Sequence, residues 1–184
     1  MALEGRLKPS PEALFFFAIA SGRPEHVPAA HADLVAELGE LGIPTTLYRF
    51  SDFSSYYDAE FGGETWKYFV GLAAPRPADD MVGIKLVTER IQARLARSGS
   101  DEGRRTVNID PGYVNGWQVT LATVKNQGHR IYLGRGVFIE VELLYRHGAF
   151  EALPWTYPDY MVEPALGFLN EMRANYLSII HRTR

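Results

Sequence analysis

Two short runs of the chain are apolar with little alternation, LFFFAIA at residues 14–20 and WKYFVGLAA at residues 66–74. A strand with one face in water alternates apolar and polar residues, whereas a strand covered on both faces is apolar throughout. Both runs are far shorter than the ~20 residues that cross a bilayer. We therefore predict two central strands of a sheet that is covered on both faces, and no membrane segment.

The neighbouring segments complete the pattern of an α+β protein. Two stretches, ending near residues 40 and 97, carry apolar residues at helical spacing, and residues 45–50 and 105–110 form half-polar strands. The resulting order is that of a ferredoxin-like βαββαβ core, in which the first and third strands are central. The two apolar runs occupy those positions, so we predict a ferredoxin-like core over residues 14–110.

Beyond this core we predict a C-terminal extension, residues 111–184, that covers the second face of the sheet. The segments HRIYLG and GVFIEVELLYRHG indicate a β-hairpin with its turn at Gly134-Arg135-Gly136. An aromatic loop follows, and residues 164–181 have the periodicity of an amphipathic helix. At 184 residues, the core and the extension are expected to form a single domain, residues 1–184.

Composition excludes several classes of function. The chain has no cysteine, which rules out disulfides, thiolate metal sites and cysteine nucleophiles, and which suits a cytoplasmic location. Its net charge is −3, and a nucleic-acid binder would carry a clear basic patch. The phosphate-loop, dinucleotide and nucleophile-elbow motifs are absent from the sequence. Residues 104–147 nevertheless carry six Lys or Arg against three acids, which favours an anionic ligand or is ordinary surface charge.

The segment RTVNIDPGY, residues 105–113, contains the first candidate site. In a strand, Asn108 and Asp110 project from the same face. A carboxylate at the end of a strand can bind a ligand or metal or act in catalysis, with Asn108 and Tyr113 as ligand contacts beside it. The alternative is that Asp-Pro-Gly is simply a turn, because these residues favour turns.

The segment GVFIEVELLY carries a pair of acids, Glu140 and Glu142, which lie two residues apart and share one face of a strand. Carboxylates on an apolar face are costly unless they meet solvent, cations or a metal ion. Together with Asp110 they are our candidate ligands for Mg²⁺, which takes one or two carboxylates plus waters. Salt bridges to nearby arginines are the alternative interpretation.

The loop KNQGHR places three polar residues directly before a predicted strand. Lys125 and Arg130 can hold a phosphate or a carboxylate. His129 can transfer a proton and is, with Asp110, our second candidate catalytic residue. A structural role for this single loop histidine is the alternative.

Two aromatic segments complete the candidates. In PWTYPDY, residues 154–160, Trp155 and Tyr157 can line a ligand pocket or form a rigid lid over the sheet. The loop SDFSSYYDAEFGG, residues 51–63, can also bind a ligand. The predicted fold places it at the edge opposite Asp110, so we expect the loop and Asp110 to belong to different sites.

Four ordered segments, FSDFSSYYDAEFG, RTVNIDPGYV, LATVKNQGHRIYLGRGVFIEVEL and PWTYPDY, resemble an uncharacterised bacterial and archaeal family catalogued as a domain of unknown function. The resemblance covers nearly the whole chain. Sequences of this kind are sometimes labelled GTP-binding, but the phosphate loop that would support the label is missing here. The resemblance therefore implies no catalytic role, but it indicates that the four segments belong to one recurring design.

These candidates lead to three hypotheses. The first is an enzyme, or a degenerate enzyme, that binds a small phosphorylated or carboxylated molecule, with Mg²⁺ as its candidate cofactor. The second is a non-catalytic nucleotide-binding or protein-interaction module, with PWTYPDY and the basic loop as its contact surface. The third is a structural protein whose acidic residues are merely solvated.

Overall fold

The computed structural model describes residues 8–98 and 105–182, which form ten strands and four helices. The strands are β1 (Glu12–Ser21), β2 (Leu41–Pro44), β3 (Tyr48–Arg49), β4 (Trp66–Leu72), β5 (Arg76–Pro77), β6 (Asn108–Val114), β7 (Gln118–Thr123), β8 (Ile131–Gly134), β9 (Val137–Arg146) and β10 (Ala149–Ala152). The helices are α1 (Val27–Leu38), α2 (Asp58–Phe61), α3 (Met81–Ser98) and α4 (Ala165–Arg182). None of the described helices is long and apolar enough to span a bilayer.

The strands form one antiparallel sheet in the order β10-β9-β7-β6-β1-β4-β2. The short strands β3, β5 and β8 pair with β4, β1 and β9, respectively. Helices combined with an antiparallel sheet make the protein α+β, as predicted. Its ten strands are more than a ferredoxin-like core contains.

Strand β1 lies near the middle of the sheet, between β6 and β4, and both of its faces are buried. Phe15 and Phe17 belong to a cluster with α1 and α3, which we call the helix-pair face of the sheet. Phe16 belongs to a second cluster on the opposite face, where it meets Phe69 of β4 and Phe168 of α4. This two-sided burial accounts for the absence of alternation in LFFFAIA.

Of the strand predicted at residues 45–50, only β3 forms, and β2 lies just before the predicted range. Thr45 stands between them and is bonded to Phe69 of β4. The backbone N–H of Phe69 donates to the Thr45 hydroxyl at 2.9 Å, where a regular ladder would offer a carbonyl oxygen. This side-chain bond interrupts the edge of the sheet, and β3 resumes the pairing beside Lys67.

We predicted that this strand ends at Asp110. In the structure, β6 continues through Pro111 and Gly112 to Val114. Gly112 is required for close packing: a Cβ there would lie 2.2 Å from the Thr120 carbonyl oxygen and 2.4 Å from the Phe16 ring. The Asp-Pro-Gly sequence is therefore part of a strand and not a turn. As a consequence, Asp110 lies in the first half of β6.

The loop at residues 51–63 lies at the same end of the sheet as Asp110, so the prediction of separate edges was wrong. Strands β4 and β6 are both antiparallel to β1 and therefore run in the same direction. Ala20 of β1 pairs with Lys67, near the start of β4, and with Asn108, the first residue of β6. The loop leads into β4 and thus reaches the beginning of β6.

The C-terminal segments extend the sheet and cover its second face. Strands β8 and β9 form the predicted hairpin, and all three residues of the turn, Gly134, Arg135 and Gly136, have positive φ angles. Helix α4 packs on the face opposite α1 and α3, where Phe168, Leu169 and Met172 are buried. Residues 115–164 thus contribute four strands to the sheet before the covering helix begins.

Candidate functional site

A cleft opens at the place where β6 leaves its neighbour β7. The register between these strands runs from Val114 to Gly112, and Asp110 lies beyond its end. The outer cleft is partly open to solvent and has a water-accessible volume of about 70 Å³. Its charged wall residues are Asp110, Lys85, Glu89, Arg105 and Lys125. Because the strands separate here, side chains from both faces of the sheet can meet at Asp110.

A smaller inner chamber lies behind the outer cleft. Its water-accessible volume is about 10 Å³, room for about one water molecule, and it is lined by Phe50, Lys67, Leu121 and Tyr160, with Ala18 and Ala20 of β1. The cleft and the chamber share four wall residues: Tyr57, Asn108, Asp110 and Tyr157. The two spaces therefore form one site, with Asp110 at their boundary.

Asp110 is held by two donors from different elements. Its Oδ1 accepts a hydrogen bond from Lys85 Nζ of α3 at 2.9 Å, and its Oδ2 accepts one from Asn108 Nδ2 at 2.6 Å. Burial alone would raise the pKa of Asp110, but the charge of Lys85 and these hydrogen bonds hold it below its usual value. Asp110 is therefore an ionised carboxylate at neutral pH.

The ammonium of Lys85 lies between two carboxylates, 2.9 Å from Asp110 and 2.8 Å from Glu89. Burial would lower the pKa of Lys85, but the two carboxylates together raise it. The side chain is only 1% exposed, so this buried cation depends on its acidic partners. The ammonium of Lys85 therefore occupies the space between Asp110 and Glu89.

Asn108 forms hydrogen bonds with three other residues of the site. Its Oδ1 accepts from Arg105, which also contacts Gln92 and forms an ion pair with Glu60 at 3.0 Å. Its Nδ2 donates to the Tyr57 hydroxyl at 3.1 Å as well as to Asp110. Asn108 thereby connects the loop at residues 51–63 to β6, and this explains why Tyr57 lines the cleft.

Lys125 lies at the mouth of the outer cleft. Its ammonium contacts the Tyr56 hydroxyl and lies 4.7 Å from the centre of the Tyr56 ring. Among the described residues, no carboxylate forms an ion pair with Lys125, in contrast to Lys85 and Arg105. Lys125 is therefore the wall cation that is available to an incoming anion.

Glu140 is engaged by the loop that precedes β8. Its Oε1 accepts from Arg130 Nη2 at 2.9 Å, and its Oε2 lies 2.5 Å from His129 Nε2. The His129 ring stacks on Trp155, with ring centres 5.0 Å apart. Arg130 also donates to the Tyr157 hydroxyl at 3.5 Å. The cluster therefore supports Tyr157, a wall of the cleft.

Glu142 lies on the same strand but lacks a cationic partner of its own. One carboxylate oxygen accepts from the Tyr157 backbone N–H at 3.2 Å, and the other has no hydrogen-bond partner in the described part of the chain. Burial, followed by the negative charge of Glu140, raises the pKa of Glu142 to about 8. Glu142 is therefore predominantly protonated at neutral pH.

Several site residues were not predicted from the sequence. Lys67 donates to Asp159 at 2.6 Å, and the same carboxylate oxygen accepts from the Tyr48 hydroxyl at 2.8 Å. The Lys67 ammonium also lies 4.7 Å from the ring centre of Tyr160 and 4.9 Å from that of Phe50. A signal was present, because Lys67 interrupts an apolar strand, and a buried charge requires a partner.

The structure brings some predicted site residues together and separates others. Asn108, Asp110, Lys125 and Tyr157 line the outer cleft. Tyr113 does not: it lies in the cluster of the helix-pair face, with its ring centre 5.7 Å from that of Phe15. Tyr113 is paired with Thr120 of β7, in the part of β6 where the two strands stay together, and it therefore lies away from the cleft.

The predicted Mg²⁺ ligands are not assembled into a metal site. Within residues 8–98 and 105–182, no group of three His, Cys, Asp or Glu side chains is placed to hold a metal ion. Asp110 is bound to Lys85, and Glu140 to Arg130 and His129. The salt-bridge alternative therefore describes Glu140, because the chain's own cations occupy the carboxylates.

A family model described as a domain of unknown function (DUF4416) matches residues 10–176. The chain belongs to this family. No curated protein and no solved structure matches the chain. The matched range contains every wall residue of the outer cleft and of the inner chamber, so the site lies entirely within the family domain.

Proposed function

We propose that the protein is an enzyme, or a degenerate enzyme, that binds a small phosphorylated or carboxylated ligand in the outer cleft. The observation that carries the proposal is the Lys85–Asp110 ion pair at the boundary of the two cavities, beneath a mouth that holds Lys125. Buried titratable groups with perturbed pKa values in a cleft are typical of functional sites.

The wall chemistry supports this function. Lys125, which forms no ion pair with a described carboxylate, presents positive charge to an anionic group entering from solvent. The pKa shifts of Asp110 and Lys85 keep both groups ionised side by side, so in this proposal they orient polar groups of the ligand by charge-assisted hydrogen bonds. His129 is stacked on Trp155 and bound to Glu140, so in this proposal it positions Tyr157 through Arg130.

The proposal includes a ferredoxin-like core, residues 14–110, within a single domain of residues 1–184. The central order β6-β1-β4-β2 is fully antiparallel and corresponds to strands four, one, three and two of a βαββαβ unit. Strands β7 to β10 and α4 would then form the extension, residues 111–184. The pocket lies at the junction of core and extension, a common position for ligand sites.

Thermal unfolding of the purified protein with phosphorylated and carboxylated metabolites, with and without Mg²⁺, tests this function. A ligand that binds only the folded state stabilises it by roughly 2.7 kcal/mol at a hundredfold excess over Kd. The stabilisation should weaken in Lys125→Met and Asp110→Asn and persist in the exposed control Lys8→Met. If Lys8→Met and Lys125→Met behave alike, the cleft is not the binding site.

The alternative is a non-catalytic nucleotide-binding or protein-interaction module. The observation that favours it is the exposure of apolar side chains near the basic loop: Ile131 is 67% exposed and Tyr132 59%, with Trp155 at 38%. This function predicts that affinity for a nucleotide or protein partner survives Asp110→Asn and falls in Trp155→Ala. If affinity instead falls in Asp110→Asn and survives in Trp155→Ala, the result supports the cleft as the binding site.

A further inference from the structure

The inner chamber is lined by three tyrosines whose hydroxyl protons donate no hydrogen bond to the described part of the chain. The Tyr57 hydroxyl accepts a hydrogen bond from Asn108, and the Tyr157 hydroxyl accepts one from Arg130. Each oxygen is an acceptor in its bond, so each O–H can still donate. The Tyr160 hydroxyl is fully buried and has no hydrogen-bond partner in the part of the chain that the structure describes. Three phenols thus offer protons to one enclosed space.

Lys67 adds a fourth donor. Its ammonium has three N–H groups, and its hydrogen bond in the described structure goes to Asp159. The remaining N–H groups lie among aromatic rings, including those of Phe50 and Tyr160. Lys67 therefore holds positive charge at the back of the chamber while Asp159 keeps that charge nearly balanced.

Each side-chain amide and carboxylate oxygen in the chamber wall already accepts one hydrogen bond. Both oxygens of Asp110 accept hydrogen bonds, one from Lys85 and one from Asn108. The side-chain oxygen of Asn108 accepts from Arg105. The rest of the wall is apolar, formed by Ala18, Ala20, Phe50 and Leu121. Asp110 keeps further lone pairs at the boundary with the outer cleft, whereas the inner part of the chamber, beside Lys67 and Tyr160, presents hydrogen-bond donors.

Fixed donors in an enclosed, largely apolar space suit an oxygen atom that carries negative charge. Burial raises the pKa values of Tyr57 and Tyr157, so both phenols keep their protons at neutral pH. The ion pairs Lys67–Asp159 and Lys85–Asp110 balance the fixed charges around the space. Binding would therefore rest on directed hydrogen bonds more than on net charge.

We propose that the inner chamber is an oxyanion site, in which the hydroxyls of Tyr57, Tyr157 and Tyr160 and the ammonium of Lys67 bind a carboxylate or phosphate oxygen of the ligand. The chamber, with a water-accessible volume of about 10 Å³, has room for one oxygen atom of a ligand whose remainder occupies the outer cleft. This inference rests on the proposed function and specifies which part of the ligand is buried.

The test uses acetate, inorganic phosphate and neutral acetamide as probes, at constant ionic strength, with thermal unfolding as the readout. Acetate or phosphate should stabilise the wild-type protein, and acetamide should stabilise it less. Because a hydrogen bond to a charged group is strong, Tyr160→Phe should weaken anion binding roughly tenfold or more. The matched control is Tyr132→Phe, since Tyr132 is 59% exposed on β8. Whichever of acetate and phosphate binds more tightly indicates whether the buried group of the ligand is a carboxylate or a phosphate.

Tyr160→Phe also separates a binding role from a structural one. Removing a buried hydroxyl that has no partner should leave the ligand-free protein as stable as the wild type or more stable. A variant that keeps its stability and its circular dichroism spectrum but loses the anion effect supports the oxyanion site. Equal anion stabilisation in Tyr160→Phe and wild type overturns it.

Lys125→Met distinguishes this inference from the proposed function. Lys125 lies at the mouth and not in the chamber, so this variant should keep its affinity for acetate and lose affinity for larger metabolites. Acetate binding that depends on Lys125 but not on Tyr160 would place the anion in the outer cleft and would overturn the proposed inner site. Acetate binding that depends on Tyr160 alone would retain the inner site even if no metabolite binds at the mouth.

Discussion

The two faces of the sheet differ in what they bury. The helix-pair face buries an apolar cluster under α1 and α3, with Phe15, Leu34 and Ile91 fully enclosed. The opposite face has an apolar half under α4 and a second half, near residues 154–161, that encloses Lys67, Asp159 and the acids of β9. Lys85 of α3 is also buried, but it lies at the cleft, where it pairs with Asp110 and Glu89. Burial of charge is costly, so the apolar clusters provide stability, while the polar half and the Lys85–Asp110 pair provide chemistry.

The largest effect should come from breaking the buried ion pair on the polar half. In Lys67→Met, Asp159 would be left as a buried charge without its cation, and unfolding in urea should show a loss of about 3–5 kcal/mol. Leu34→Ala, on the helix-pair face, should cost a similar amount, about 2–5 kcal/mol, through the cavity that it leaves.

The two losses differ in whether they can be repaired. Adding Asp159→Asn to Lys67→Met removes the stranded charge and should restore much of the stability. No second polar substitution repairs the cavity in Leu34→Ala. If the double variant were as unstable as Lys67→Met alone, the penalty would come from lost packing, and the two faces would be energetically alike.

A smaller effect is expected at Gly112, where the two clusters approach each other through β6. In Gly112→Ala, the new Cβ would meet the Thr120 carbonyl and the Phe16 ring, so calorimetry should show a loss of about 1–3 kcal/mol. Gly83 is the matched control on α3, because a Cβ there has nothing within 4 Å. Gly83→Ala should instead stabilise the helix by about 0.5–1 kcal/mol. Equal behaviour of the two variants would contradict this packing.

The smallest effect, counted per pH unit, is a dependence of stability on pH that comes from Glu142 in the polar half. The pKa of Glu142 rises from 4.5 to about 8 in the folded protein, so between these values the folded state binds more protons than the unfolded state. Stability should therefore fall as the pH rises through this window, by up to about 1.4 kcal/mol per pH unit.

Glu142→Gln tests this directly, because glutamine does not ionise and the variant should lack this part of the decline. Lys67, Glu140 and Asp159 act on Glu142 and stay in place in the variant. Glu171→Gln, on the exposed side of α4, should follow the wild-type curve. Parallel curves for the wild type and Glu142→Gln would show that Glu142 ionises normally.

Much of the architecture followed from hydrophobic pattern. The runs that became β1 and β4 are apolar on both faces, and this property placed them in the middle of the sheet. Helices α1, α3 and α4 and the hairpin turn at Gly134–Gly136 also lie where periodicity and turn residues indicated. These elements are encoded locally, and local rules therefore found them.

The site depended on contacts that no local rule contains. Asp-Pro-Gly signals a turn, but Gly112 is needed because Phe16 and Thr120 crowd its position from neighbouring strands. This error shifted Asp110 to the wrong end of its strand and separated it from Tyr57. Lys67 and Lys85 were visible as charges within buried patterns, but their partners lie 92 and 25 residues away. Only the fold identifies those partners.

The distance in sequence between Lys67 and Asp159 also bears on how the protein is made. As the chain leaves the ribosome, β4 emerges with an ammonium whose partner will be synthesised 92 residues later. Until then, placing that strand in a dry environment leaves a cation unpaired, which disfavours burial of an incomplete sheet. The ion pair thus couples closure of the polar half to arrival of the segment PWTYPDY, and the pocket appears only when that segment docks.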